Sequence, residues 1–229
     1  MIGIILAGGL GTRLKSVDSN VAKPMVQVGG KPFLYWLLRH LVQSGITEAI
    51  ISVGHKAKTV TDYDWAKDLQ KLKVSFEEEE KPLGTGGAIK HVFEKNPHVQ
   101  LAWVINGDTL VPTKLPKIEN LKFEAIYTVL ADNQKIYDAI PNIIIKEGLV
   151  VGVGDLGTAF DAGQVYITRE AVMRFSGAPP YSCHQLLEPA IKDKKVGAIS
   201  LEGQCYDIGT PERLKRFEEY LKTFKTNLT

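Results

Sequence analysis

Short, wholly apolar runs alternate along this chain with longer segments whose apolar residues recur every three or four positions. The first run, Ile2 to Leu6, has no polar member and reads as a strand buried on both faces. Phe33 to Val42 has helical spacing and stops at Gly45, which predicts a helix with a glycine stop. Ala49 to Val53 predicts a second strand. Ala57 to Leu72 predicts a helix with Val60, Trp65 and Leu69 on its apolar side, and Val74 to Phe76 a third strand. Gly86-Gly87 opens a helix from Ala88 to about Glu94, and Leu101 to Ile105 is again a short apolar run. This rhythm is that of a mainly parallel sheet with crossover helices.

From Ala125 the pattern changes. Ala125 to Leu130, Asn142 to Lys146, Leu149 to Val153 and Gln164 to Thr168 are strand-like pieces joined by turns, which predicts a smaller antiparallel extension. Ser182 is an N-cap for a helix through Ile191, and Val196 to Leu201 returns as a strand. Pro211 suits the first turn of a terminal helix reaching Phe224. The expected architecture is α/β: a mixed, Rossmann-like sheet flanked by helices, in one domain over 1–229.

The loop after the first strand changes what such a fold is expected to do. Leu6-Ala7-Gly8-Gly9-Leu10-Gly11-Thr12-Arg13-Leu14 is followed by Lys23-Pro24-Met25. Glycines at the end of an apolar strand, with an arginine and a lysine about ten residues apart, suit a triphosphate that needs backbone amides and two cations. The spacing matches neither a P-loop nor a dinucleotide fingerprint: the third fingerprint glycine would fall on Leu14, and no carboxylate near Gly29-Gly30-Lys31 is offered to a ribose.

Composition removes other classes. The chain has 229 residues, is 44% hydrophobic and carries a formal charge of +2 from 28 basic and 26 acidic residues. That is enough for one sizeable core, and the even spread of lysines offers no basic platform for nucleic acid. No apolar run approaches a membrane span and no cationic leader precedes Met1-Ile2-Gly3, so a cytoplasmic protein is expected. The two cysteines, Cys183 and Cys205, lack metal-ligand spacing and are expected as free thiols. His40, His55, His91, His98 and His184 are scattered, and none is nominated for catalysis.

Asp108 falls just beyond the run Leu101 to Ile105, where α/β sheets bind ligands. Singly, Gly107-Asp108 reads as turn chemistry and Asp207 as a cap. Together, both after strand ends, they read as two hard carboxylates for a divalent cation, Mg2+, beside a phosphoryl group.

Leu6 to Leu14 with Lys23-Pro24-Met25, then Pro82-Leu83-Gly84-Thr85-Gly86-Gly87-Ala88, Asn106-Gly107-Asp108 and Asp207-Ile208-Gly209-Thr210-Pro211, resembles the sugar-1-phosphate nucleotidyltransferases in order and spacing from Met1 to about Leu221. Within that family, Lys15-Ser16-Val17, Lys31-Pro32-Phe33 and Pro82 to Ile89 are most similar to the heptose 1-phosphate guanylyltransferases. The resemblance implies a GT-A-like fold and transfer of a nucleotidyl group from an NTP to a sugar 1-phosphate, with pyrophosphate released. It implies a nucleotide-binding part over about 1–122, a sugar-side part over about 123–205 and a C-terminal metal-ligand motif with its helix over 206–229. Arg13, Lys23 and Asp108 are expected to be catalytic. Arginine's fork suits the departing pyrophosphate, and lysine the α-phosphate and the incoming phosphate. The incoming phosphate is already anionic, so a general base is not required.

Leu6, Ala7, Gly8, Gly9, Gly11, Thr12, Gly84, Thr85, Asn106 and Gly107 are expected around the nucleotide. Glu79 falls where uridylyl-transferring relatives place a glutamine. A carboxylate only accepts hydrogen bonds and guanine presents two adjacent donors, so GTP is favoured, with CTP as runner-up. The bland alternative is that Glu77-Glu78-Glu79-Glu80 is the solvated end of a strand, and a register slip would substitute Glu80. On the sugar side the family's Tyr-Gly, Glu-Lys and Asn-x-Gly are here Tyr137-Asp138, Gly154-Asp155 and Asp161-Ala162-Gly163. Gly163 carries over, and Asp161 is a candidate acceptor for sugar hydroxyls. The departures leave open a non-hexose phosphate or phosphonate as the acceptor, and a CTP- or UTP-dependent enzyme is the alternative to GTP. Other classes considered are a nucleotide-sensing regulator, which predicts loss of one of Arg13, Lys23, Asp108 or Asp207, and a glycosyltransferase, which calls for Asp-x-Asp. All four residues are present, and Asn106-Gly107-Asp108 is not that motif. A homodimer is compatible with the family.

Overall fold

The computed structural model describes residues 1–9, 20–118, 122–131 and 140–226, with the side chains of 224–226 left aside. Leu10, Gly11, Thr12, Arg13 and Leu14, Lys15-Ser16-Val17 and Tyr137-Asp138 lie outside the described residues.

In chain order the elements are β1 (Ile2–Leu6), a 3-10 turn (Lys23–Met25), β2 (Gln27–Val28), β3 (Lys31–Pro32), α1 (Phe33–Gln43), β4 (Glu48–Val53), α2 (Lys58–Thr61), α3 (Trp65–Asp68), β5 (Lys73–Glu78) and α4 (Gly84–Lys95). They continue with β6 (Leu101–Asn106), β7 (Thr109–Leu110), β8 (Ala125–Leu130), β9 (Ile143–Lys146), β10 (Leu149–Val153), β11 (Phe160–Thr168), α5 (Arg169–Met173), α6 (Cys183–Lys192), β12 (Val196–Ser200), β13 (Tyr206–Asp207) and α7 (Pro211–Thr226).

Nine strands form one sheet in the order β5-β4-β1-β6-β11-β8-β12-β10-β9. The β5-β4-β1-β6 portion is parallel, so the carboxyl ends of four strands open on one edge. Beyond it β11 runs antiparallel to both β6 and β8, β12 is parallel to β8, and β10 is antiparallel to β12 and β9. The antiparallel extension read from the sequence is thus built onto the same sheet. One apolar layer packs α1, with Phe33, Leu34, Leu37, Leu38 and Leu41 all buried, and α7, through Phe217, on one face. The other face is covered by α4 and α6, with Ile89, Val92, Phe93, Leu186 and Leu187 buried. Each such side chain contributes roughly 1.5–3 kcal/mol on burial. Among the described residues no helix is long and apolar enough to cross a membrane.

The helix expected over Ala57 to Leu72 is instead α2 and α3. The Asp64 side chain accepts the Lys67 amide at 3.2 Å and caps α3, while the Trp65 indole donates to the Val60 carbonyl at 2.9 Å, an acceptor that continued helix would need. Local aspartate hydrogen bonding outcompetes helix propagation here. α4 starts at Gly84 rather than near Ala88, and β11 begins at Phe160 rather than Gln164. Ser182 caps α6 in a reciprocal capping box with Gln185, as its sequence indicates.

Candidate active site

The parallel edge holds a cavity of about 380 Å³. Leu6, Ala7, Gly8 and Gly9 line it from the end of β1, Lys23 and Pro24 from the 3-10 turn, and Asn106, Gly107 and Asp108 from the end of β6. Glu79, Pro82, Gly84, Thr85 and Ala88 complete it from the β5–α4 connection and α4. Sequence reasoning therefore gathers into one cleft every nucleotide-side candidate among the described residues. The volume suits a nucleotide-sized ligand.

Gly107 makes the junction possible. Its amide donates to the Leu6 carbonyl at 3.0 Å, and a Cβ there would stand 2.4 Å from that same oxygen. The end of β6 thus lies directly on the end of β1, and Asp108 follows at the cleft. Lys23 Nζ lies 2.5 Å from Asp108 Oδ2, and the Thr109 hydroxyl donates to Asp108 Oδ1 at 3.0 Å. Asp207 arrives by pairing: β13 runs antiparallel to β7 with Asp207 opposite Thr109, and the Ile208 amide donates to the Asp108 carbonyl at 3.1 Å. Its carboxylate accepts the Gly209 amide at 2.8 Å and Arg213 Nη1 at 3.0 Å. Arg213 was no sequence candidate, although its place six residues after Asp207, in the first turns of a helix, is a readable signal.

Two hard carboxylates on adjoining backbone positions fit a divalent cation such as Mg2+, completed by phosphate oxygens or water. Each carboxylate already faces a cation of the chain, Lys23 or Arg213, so the negative charge is balanced without ligand.

Glu79 lines the cleft while Glu78 and Glu80 are exposed, which fixes the register left open in the four-glutamate run. The Glu79 amide donates to the Val53 carbonyl at 2.8 Å. Its Oε1 accepts the Ser52 hydroxyl at 2.9 Å and its Oε2 the Leu83 amide at 3.2 Å. Ser52, fully buried on β4, is a partner the sequence did not reveal. The Gly86 and Gly87 amides are taken by the Tyr181 carbonyl at 3.0 and 3.4 Å, and Thr85 Oγ1 accepts the Cys183 amide at 2.9 Å. The glycine run therefore docks the Tyr181–Cys183 segment as well as bordering the cleft.

Asp161 and Gly163 lie apart from these residues, in a side cavity of about 30 Å³ that shares Leu6 and Asn106 with the main cleft. Gly163 takes φ +72°, and its amide donates to Asp161 Oδ1 at 2.7 Å. Burial pushes the Asp161 carboxyl up to about 6, opposed by the Gly163 amide. Burial also pushes the thiols of Cys183 and Cys205 up to about 12, and both are free thiols.

The chain belongs to the nucleotidyl transferase family, whose model matches residues 2–137. Among characterised relatives it is 31% identical over 98% of its length, and all of theirs, to D-glycero-alpha-D-manno-heptose 1-phosphate guanylyltransferase of Aneurinibacillus thermoaerophilus. It is 32% identical to the Campylobacter jejuni enzyme of the same name, covering 95% of this chain and 98% of that one. Its fold superposes on the crystal structure of HddC from Yersinia pseudotuberculosis with a TM-score of 0.79, 29% identity and coverage of 96% and 99%. The same protein complexed with GMP-PN superposes at 0.77.

Proposed function

We propose that this enzyme transfers the guanylyl group of GTP to a sugar 1-phosphate of the heptose or mannose type, forming a GDP-sugar and pyrophosphate. The observation that carries the reading is the Glu79 carboxylate, held in the cleft by Ser52 and the Leu83 amide. Each carboxylate oxygen keeps a lone pair for the adjacent N1–H and 2-amino donors of guanine, a pairing uracil cannot supply. The guanylyltransferase names of the two relatives and the GMP-PN complex of HddC support the same base.

Leu6 to Gly9, Gly84, Thr85, Asn106 and Gly107 then bind the nucleotide, together with Gly11 and Thr12 of the loop. Lys23 orients the α-phosphate and the incoming phosphate, and Arg13 stabilises the departing pyrophosphate; the acceptor phosphate attacks as an anion, with no base to deprotonate it. Asp108 and Asp207 would hold Mg2+, which when bound neutralises charge developing on the phosphoryl oxygens. Asp161 and Gly163 face the acceptor. On this reading the nucleotide part spans about 1–122, the sugar side about 123–205 and the closing metal motif 206–229. The product suits assembly of capsule or lipopolysaccharide sugars in the cytoplasm. A pyrophosphate-release screen of GTP, CTP, UTP and dTTP against a panel of sugar 1-phosphates with magnesium tests it: turnover with another base over GTP would overturn the guanylyl assignment.

A further inference from the structure

The side cavity holds a polar group that neither the sequence motifs nor the nucleotide chemistry uses. Tyr127, on β8, is only 3% exposed, yet among the described residues its phenol oxygen has one partner, the Cys183 sulfur at 3.9 Å. Sulfur is a weak acceptor and a buried tyrosine hydroxyl ordinarily finds a strong one. Tyr127 shares the lining of the cavity with the polar Asp161, Asn106, Gln164 and Cys183 and with apolar Val104 and Val165. β8 and β11 put it there: Tyr127 is paired with Val165, next to the irregularity between Asp161 and Val165. At about 30 Å³ the space takes roughly two water-sized groups by the same measure, enough for one oxygen substituent and too little for a sugar ring.

We infer that Tyr127 is a specificity-determining residue of the acceptor site, its phenol donating to one hydroxyl of the acceptor sugar, which enters the side cavity between Tyr127 and Asp161. The inference rests on the sugar 1-phosphate reading and deepens it. An acceptor lacking that hydroxyl leaves the phenol without a strong partner, so the site discriminates against it. Burial keeps the Tyr127 phenol protonated well above its usual range, aided by Cys183 and Asp161 nearby, so its donor proton is present throughout the working pH range.

The test compares the full chain with Tyr127→Phe, using GTP, magnesium, mannose 1-phosphate and its 2-, 3-, 4- and 6-deoxy analogues. The parent is expected to lose about tenfold in kcat/KM against one analogue. Tyr127→Phe is expected to raise the mannose 1-phosphate KM about tenfold, to lose discrimination against that same analogue, and to keep the GTP KM. A variant that discriminates as the parent does overturns the inference, as does a uniform loss over all acceptors with a lowered melting temperature. Failure of the guanylyl reading looks different: the parent itself releases no pyrophosphate from GTP. Calorimetric titration of mannose 1-phosphate into both proteins then decides, and equal affinity, including none in either, overturns the role of Tyr127.

Discussion

Lys23 and Asp108, 85 residues apart in sequence, meet at 2.5 Å between Nζ and Oδ2, with the lysine side chain 12% exposed and the carboxylate 36%. The pair brings the 3-10 turn after the glycine loop against the end of β6, so one cation and one carboxylate share the mouth of the cleft. Asp108→Asn keeps the shape and removes the charge. Turnover should fall by at least about 10²-fold while GTP affinity changes by less than roughly tenfold. Steady-state pyrophosphate release and equilibrium GTP binding measure the two, and an unchanged rate removes Asp108 from the chemistry.

Glu79→Gln should reduce the preference for GTP over UTP by about 10–100-fold, because an amide presents one acceptor and one donor where guanine presents two donors. Gly8→Ala should act in the same direction, since its Cβ would stand 2.5 Å from Glu79 Oε1. Equal GTP/UTP ratios of kcat/KM in parent and both variants would take Glu79 out of base selection.

Two groups whose charged forms are poorly solvated give opposite pH dependences. Asp161 keeps its proton up to about pH 6 in the folded chain against 3.8 as a free carboxyl, so the folded state binds more protons in between. It therefore lowers stability as pH rises through that window, by up to about 3 kcal/mol. Burial lowers His40 from 6.5 to about 4, so the unfolded chain takes the extra proton and stability falls as pH drops through that range. In urea unfolding from pH 4 to 8, Asp161→Asn should gain on the parent above pH 6 and lose the advantage near pH 4. His40→Leu should show a shallower loss below pH 6.5. Parallel curves for parent and variants would contradict both assignments.

Gln164 is 1% exposed, and among the described residues neither its Oε1 nor its Nε2 has a hydrogen-bond partner. It pairs with Ile105 on β6. Replacing the unsatisfied amide by the similarly sized thioether, Gln164→Met, should stabilise the chain by about 1–2 kcal/mol, read as a raised melting temperature. An unchanged or lowered value would mean the amide is satisfied in solution.

The apolar runs made most of the sheet legible because β1, β4 and β6 are buried on both faces and tolerate little polarity, as Ile4, Ile5, Ile50, Ile51 and Ile105 show. The break at Asp64 was not legible, since the apolar spacing of Val60, Trp65 and Leu69 is the same for one helix or two. The cleft was readable where chemistry needs a particular side chain beside the glycine loop or at a strand end, as with Lys23 of the 3-10 turn and with Glu79 and Asp108. Ser52 and Tyr127 were invisible for a common reason: each meets its partner only through contacts between segments distant in the chain. The two-residue β7 and β13 are too short for a periodicity signal, yet they bring Asp207 beside Asp108.

The pairing of β7 with β13 joins distant parts of the chain. Its second strand is drawn from Tyr206–Asp207, near the end of the 229-residue sequence, whereas the glycine loop, Lys23 and Asp108 all lie in the first half. On the proposed reading the two acids can share a cation only once this long-range pairing has formed, so a lesion in β7 or β13 would spoil cation binding while leaving the nucleotide side of the cleft in place.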